Sequence, residues 1–427
     1  MTEATGVIVV GAGVAGLAAA AALREAGIAC EVLEASPRIG GRAYTTTPAE
    51  LAGAAFDHGA SWLHAAGRNP LVPVARAAGE TLWHSDDDWS RRLAVGGLPA
   101  TAADEAAYDA AERRFAALTA QAARAAKDCS VAQAVSAMAD DPWLATVENF
   151  EAALVAAADS RDLSVRDCAR NGLDGVNLNV RGGLGAFVAR RLAQAVRLAT
   201  PVRRIAWGGS GGRVAATTRD GTLQAEACIV TVSTGVLRAG GIVFDPPLPD
   251  SHLTALDGLP MGLLTKIGFG ASSLERLGIT SQTQVLNRQQ ARHAAAVSFI
   301  ARPGGAAHVV GFLGGAAAWD MARAGAAATA DLAREQWRSA LGGTAGATLG
   351  PALVTGWARD PWSLGAYAYA RTDHAEARDA LVRPIGGGRL LFAGEAVATD
   401  GLAGTVGGAW NSGRAAAASV AVLLRAA

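Results

Sequence analysis

The chain has 427 residues, 51% of them hydrophobic and 18% charged, and its acidic and basic side chains cancel to a formal net charge of zero. That length is more than one core usually fills, so two domains are expected, and the apolar content excludes a disordered chain. A neutral chain has no global field for nucleic acid or an anionic membrane, and glycine or arginine interrupts every apolar run before it reaches membrane-spanning length.

The first element is the run Val7-Ile8-Val9-Val10, a short buried strand, followed by Gly11, Gly13 and Gly16 in a GxGxxG turn and an Ala/Leu-rich helix that stops at Gly27. Gly11 allows the tight turn, Gly13 lets the backbone approach a pyrophosphate, and Gly16 lets helix and strand pack closely. The helix N-terminus then offers unpaired N–H groups to an anion. Ile28 to Leu33 reads as a second strand ending on Glu34, 23 residues after Gly11, where a ribose hydroxyl needs an acceptor. These parts together predict a dinucleotide site. The strand starts by Gly6 with no room for a signal peptide, and Cys30, Cys129, Cys168 and Cys228 lack metal-ligand spacing. The expectation is a cytoplasmic chain with reduced thiols and no metal.

Next come Gly40-Gly41-Arg42, adding N–H groups and a cation beside a diphosphate, and then Phe56 to His64 with Asn69-Pro70-Leu71. At this point the chain resembles the flavin-dependent amine oxidases, the family of monoamine oxidases, polyamine oxidases and lysine-specific histone demethylases. The segment Gly59-Ala60-Ser61-Trp62-Leu63-His64 is similar to the GASWLHG segment of polyamine oxidases, whose histidine stands at the substrate side of the flavin.

Residues 75 to 170 lose strand character and read as amphipathic Ala-rich helices, with Asp86-Asp87-Asp88 between Trp83 and Trp89 as a candidate anionic mouth for a polycationic amine. Gly182-Gly183 then leads a helix through Leu192, and strands are expected near Pro201 to Ile205, Arg213 to Thr218 and Ala227 to Val232. Gly208 to Gly212 reads as a hairpin turn, not a second dinucleotide turn. With no second fingerprint there is no dedicated NAD(P)H domain, which favours an oxidase over a reductase.

Only Lys127 and Lys266 among the 38 basic residues are lysines. Lys266 lies in the alternating strand Met261 to Phe269, on one face with Leu264 and Gly268, so its amine is expected inside or in a cleft. Burial lowers a lysine pKa, and lysine can shed its proton where arginine cannot. The resemblance implies that Lys266 reaches flavin N5 through a water. Further on, Tyr367 and Tyr369 face one side of a strand, and the family places an aromatic cage wall at Tyr367. Monoamine oxidases carry a flavin-bonding cysteine where this chain has Ala366, so FAD is expected to be non-covalent. Phe392-Ala393-Gly394-Glu395 matches the FAGE signature, and Gly404-Thr405-Val406 opens a helix aimed at the isoalloxazine ring. Monoamine oxidases have tyrosine at the Thr405 position, so the second cage wall is absent or comes from elsewhere.

The resemblance therefore implies an α/β fold. A discontinuous Rossmann-like FAD-binding domain (1–74, 179–246, 386–427) would carry an inserted α+β substrate domain (75–178, helical, and 247–385). FAD contacts are assigned to Gly11, Gly13, Ala15, Gly16, Glu34, Ala35, Gly40, Gly41, Arg42, Gly59, Ala60, Ser61, Trp62, Val202, Trp357, Gly394, Glu395, Gly404, Thr405 and Val406. The chemistry is assigned to Lys266, Tyr367, His64 and Thr405. The expected reaction is oxidation of a small-molecule amine, best a polyamine, by hydride transfer to flavin. Dioxygen would reoxidise the flavin to give hydrogen peroxide, and the imine would hydrolyse to an aldehyde. The alternatives are an oxidase of L-amino acids or of aromatic or alicyclic amines, a desaturase or isomerase on the same fold, and a non-catalytic FAD-binding partner protein. The protein is expected to work as a monomer or homodimer, without nucleic acid or membrane.

Overall fold

The protein is described from a computed structural model, covering residues 5–84, 90–209 and 212–426. Asp86-Asp87-Asp88 and the middle of the 208–212 turn lie outside the described residues.

A mostly parallel sheet forms around the strand Thr5–Val10. Its apolar residues are buried on both faces, as a strand covered by helices on each side requires. Cys30–Leu33 pairs in parallel on one side, with Val9 opposite Val32, and Gly221–Val230 on the other, with Val7 opposite Ala227. Leu390–Phe392 adds a further parallel strand, putting Leu391 beside Ile229. One sheet thus gathers strands from three stretches far apart in sequence. The helix Val14–Glu25 packs on it against the last helix, Val406–Ala426, through glycine: a Cβ at Gly413 would lie 2.0 Å from Ala15 O.

The second sheet has seven strands, in the order Leu349–Val354, Leu264–Ala271, His308–Gly314, Ser298–Ala301, Thr283–Asn287, Ser90–Val95, Leu98–Pro99. Across it Lys266 stands opposite Phe312, Phe312 opposite Ser298, and Ile300 opposite Gln284, so these side chains share one face. The stretch 75–170, expected to be helical, holds the long helix Ala102–Ala123, opened by a Thr101–Asp104 capping box. It also holds three strands, Leu82–His84, Ser90–Val95 and Leu98–Pro99, which corrects the helical reading. Pairing made them: Ser90–Val95 lies beside Thr283–Asn287, and Leu82–His84 beside Leu178–Val180. The helix Leu144–Glu148 widens into a π-helical turn, Asn149–Leu154, a local geometry that recurs at functional sites. No described helix is long and apolar enough to cross a membrane.

Two outcomes follow for stability. Gly413→Ala puts a methyl group into the backbone of the facing helix, which should cost about 1–3 kcal/mol as overpacking and lower the denaturation midpoint. An unchanged midpoint would mean the two helices separate freely. His308 is buried, its Nδ1 has no hydrogen-bond partner, and burial holds its pKa down at about 4. The folded state keeps this imidazole neutral, whereas the unfolded chain protonates it near its ordinary value of 6.5. Its contribution is therefore full above pH ~6.5 and falls as the pH drops toward ~4. Thermal melts of His308→Asn should lose less stability between neutral and acid pH than the wild type does, and parallel curves would contradict this.

Candidate active site

Both sheets face one cavity of about 1090 Å³. Binding sites for single small molecules span roughly 300–1000 Å³, so this one has room for a large cofactor and a substrate together. Its two ends differ in chemistry.

At one end the helix Val14–Glu25 begins on Gly13, with no side chain capping its first-turn N–H groups. A Cβ at Gly13 would meet nothing within 4 Å, so the helix N-terminus opens directly on the cavity. Glu34 braces the turn: Oε2 accepts from Ala12 N at 2.6 Å and Oε1 from Ser36 N at 2.8 Å. The Gly40-Gly41 turn comes so close that a Cβ on Gly41 would lie 3.3 Å from Gly13 Cα. Arg38 donates to Gly41 O at 2.7 Å and lies over the Tyr44 ring. Arg42 ties this end to the middle of the cavity, donating to Ala366 O at 2.9 Å and to Glu395 at 2.7 Å. Glu395 in turn accepts from Ala368 N, next to Tyr367. The indole N–H of Trp357 donates to His58 O at 2.8 Å.

Every residue assigned to FAD contact lines this cavity except Gly16. Gly16 packs instead against the turn, where a Cβ would stand 1.9 Å from Gly11 O. An uncapped helix N-terminus, two abutting glycine turns and the buried Glu34 carboxylate form a cradle that fits the nucleotide and pyrophosphate of FAD. Residue 366, an alanine, offers no thiol for a covalent bond to the ring.

The other end is aromatic. Trp62 and Phe312 lie 5.9 Å apart, with Phe150, Leu154, Leu264 and Ile300 around them. Lys266 is 4% exposed, and its ammonium lies 5.4 Å from the Trp62 ring centre and 5.7 Å from that of Phe312. Nζ donates to Asp57 O at 3.0 Å, Gly59 O at 2.6 Å and Ser61 Oγ at 2.5 Å. Burial pulls its pKa down to about 8, with Asp57 acting in the opposite sense. The Tyr367 hydroxyl donates to Leu154 O at 2.9 Å and Val155 O at 3.1 Å, carbonyls at the exit of the π-helical turn, which fixes the ring as a wall. His64 stacks on Trp62, with Nδ1 2.9 Å from Asn177 Oδ1. Thr405 lines the cavity, but its hydroxyl donates to Leu402 O and accepts from Gly408 N, capping the last helix. Trp62, Phe150 and Phe312 supply the aromatic surface that Thr405 does not.

The sequence reading missed several residues on this wall. The π-helical turn sends Phe150 and Glu151 into the cavity, and the second sheet adds Gln284 and Ser298. Glu151 is exposed toward the cavity, and desolvation by the surrounding wall, with Glu112 adding repulsion, raises its pKa to about 7. Among the described residues it has no ion-pair partner, whereas Arg378 and Asp167, also on the cavity, are paired through two 2.8 Å bonds. Gln284 and Ser298 are buried and make no side-chain hydrogen bond among the described residues. Among the described residues no group of three or more histidine, cysteine, aspartate or glutamate side chains could hold a metal ion.

The comparisons with known proteins agree with this geometry. Residues 88–421 match the family model described as flavin containing amine oxidoreductase, and residues 9–74 match an NAD(P)-binding Rossmann-like domain. Polyamine oxidase 4 of Oryza sativa subsp. japonica is 30% identical, the alignment covering 96% of this chain and 87% of that protein. Protein FLOWERING LOCUS D of Arabidopsis thaliana is 28% identical over 97% of this chain and 55% of its own length. Among solved structures, a putrescine oxidase double mutant superposes with a TM-score of 0.80 at 20% identity, covering 97% of this chain and 98% of that one. Cyclohexylamine oxidase from Brevibacterium oxydans IH-35A gives 0.78 at 22%, covering 99% and 100%. From the glycine cradle to the buried lysine, the chain belongs to the flavin-containing amine oxidoreductases and is an FAD-dependent enzyme.

Proposed function

We propose that the protein oxidises a polyamine. The observation that carries this reading is Glu151, a carboxylate facing the cavity with no paired cation among the described residues. Its pKa of about 7 marks a charge that lacks a partner, and a bound ammonium would supply one. Gln284 and Ser298 add neutral acceptors on the same cavity. Polyamine oxidases among the relatives and putrescine oxidase among the structural neighbours support the same substrate class.

The L-amino-acid alternative needs an arginine free to clamp a carboxylate. Of the arginines on the cavity, Arg378 is held by Asp167, Arg42 by Glu395, Arg38 by backbone carbonyls, and Arg203 lies over the Trp362 ring. One further reading has a specific observation behind it: the apolar surface of Trp62, Phe150, Leu264 and Phe312 would suit an alicyclic or aromatic monoamine.

We also assign the strands and turns of 1–74, 179–246 and 386–427 to FAD binding and those of 75–178 and 247–385 to the substrate side. FAD bound in the cradle supplies the hydride acceptor and the reaction with dioxygen, so hydrogen peroxide and an aldehyde are the expected products. The chain's own residues bind and orient. Tyr367, Trp62 and Phe312 form an electron-rich cage around the reacting amine. Lys266 holds and releases a proton next to it, His64 shapes the wall beside Trp62, and the aromatic and aliphatic side chains exclude water.

Two measurements test this. In a peroxide assay, Glu151→Gln should lower kcat/KM for spermidine by roughly 10–100-fold more than for hexylamine, the worth of one charge-assisted hydrogen bond. Equal losses on the two substrates would favour the monoamine reading. Lys266→Met should keep its yellow FAD but reoxidise it more slowly, by roughly 100-fold if the lysine supplies acid–base catalysis. Reoxidation at the wild-type rate would remove the lysine from that step.

A further inference from the structure

Lys266 is almost wholly enclosed, while Ser61, at the end of its shortest hydrogen bond, is half-buried and lines the cavity. The other two partners of Nζ, Asp57 O and Gly59 O, are carbonyls that can only accept. An ammonium therefore fills all three acceptors, and the Ser61 hydroxyl, which donates to no protein group among the described residues, turns its O–H toward the cavity. A neutral amine keeps two N–H groups, which the carbonyls take, and gains a lone pair. The third hydrogen bond must then reverse: Ser61 O–H donates to Nζ, and the serine oxygen offers its lone pairs to the cavity.

Resting on the amine-oxidase reading, we propose that Ser61 relays the substrate's proton to Lys266. An amine arrives as an ammonium and must lose a proton before its lone pair can assist oxidation at the adjacent carbon. Ser61 Oγ accepts that proton while its own O–H proton passes to Lys266 Nζ. One N–H bond breaks in the substrate and an O–H bond forms at Ser61. The original O–H of Ser61 breaks, and an N–H bond forms at Lys266. No electrons are transferred, and the substrate is left neutral. Ser61 touches the substrate, and Lys266 acts through it as the proton store.

The surroundings leave this pair to titrate largely by itself. The Asp57 carboxylate is turned away, bonded to Thr45 Oγ1 and to the amides of Leu184 and Gly185. His58 is kept neutral down to a pKa of about 4 by burial and by the nearby charges of Lys266 and Arg38. From the neighbouring strands, Thr355 bonds the lysine's backbone and Phe312 presents an uncharged ring. A lysine pKa of about 8 populates both hydrogen-bond arrangements near neutral pH.

With only two lysines in the chain, the titration can be read directly. Holoenzyme carrying ¹³Cε-lysine gives two signals, and Lys127→Arg identifies that of Lys266. The wild-type signal should titrate near pH 8. Ser61→Ala, which removes the third acceptor of the ammonium, should lower the midpoint by about half a unit or more, and Ser61→Thr should restore it. In stopped-flow reduction of the flavin by spermidine without oxygen, the wild type should show an acid limb at the lysine midpoint. Ser61→Ala should reduce the flavin roughly 100-fold more slowly, and Ser61→Thr should recover most of the rate. A lysine midpoint unmoved in Ser61→Ala, or full-rate reduction by that variant, overturns the relay. An enzyme whose flavin no amine reduces would instead refute the amine-oxidase reading, and the lysine signal would still decide whether the hydrogen bond inverts.

Discussion

One amine fastens the seven-stranded second sheet to the segment that forms the cavity's inner wall. Lys266 rises from the second strand of that sheet and bonds to three successive odd-numbered positions, Asp57, Gly59 and Ser61. Enclosing an ammonium is costly unless each of its protons finds an acceptor, and this segment provides the required number. Its shape depends on small residues. A side chain at Gly59 would put a Cβ 1.9 Å from Arg42 O, so the carbonyl that faces Lys266 exists only because residue 59 has none. Arginine could not replace the lysine. It carries five N–H groups in a rigid fork where there is room for three, and it cannot release a proton. In a chain whose other cations are nearly all arginine, the lysine stands where the proposed chemistry needs a proton to leave.

The rest of the cavity follows a rule of paired charges. Arg42 is held by Glu395 and Arg378 by Asp167, and Glu34 is satisfied by two backbone N–H groups. All but the half-buried Arg42 are buried, and a buried charge without a partner costs several kcal/mol. Paired, they act as rigid struts. Arg42–Glu395 joins the first glycine-rich region to the turn before the last helix and, through Ala366 O and Ala368 N, to the strand that carries Tyr367. The tyrosine is therefore fixed from two sides, by this strut at its backbone and by the π-helical turn at its hydroxyl. A cage wall held in this way gives a substrate a definite orientation, which is much of what a protein contributes when a cofactor carries the redox chemistry.

How much of this was legible in the sequence depended on how local its cause is. The turn at Gly11 to Gly16, the Gly40-Gly41 pair and the Glu395 block could be read because each needs specific residues at fixed short spacing. Lys266 was legible by contrast, one lysine amid apolar residues in an arginine-rich chain. Gln284, Ser298 and Phe312 were not, because they meet only after three strands align in register, and no short window contains that register. Glu151 was hidden for another reason. In an ordinary α-helix its position reads as a solvated face, and the wider π turn is what brings it and Phe150 to the cavity. The strands within 75–170 escaped because they are short and exist through their partners, and the aromatic surface opposite Tyr367 is built by Trp62 and Phe312 on two separate elements.

Glu151 and Lys266 both line the cavity, and desolvation shifts their pKa values toward each other, to about 7 and about 8. Below that range the carboxyl is neutral and the lysine charged, so the cavity repels a cation. Above it the carboxylate is charged and the lysine neutral, so the cavity attracts one. The two groups together thus pass from net positive to net negative over about two pH units as each loses one proton. On the polyamine reading proposed above, a diamine cation would gain on both counts. It would pair with the Glu151 carboxylate, and its reacting amine would share the cavity with Lys266. Binding the cation and discharging its reactive nitrogen therefore favour the same protonation state of the cavity. Such a link needs a lysine and a glutamate that are not paired with opposite charges, and among the described residues neither Lys266 nor Glu151 forms an ion pair.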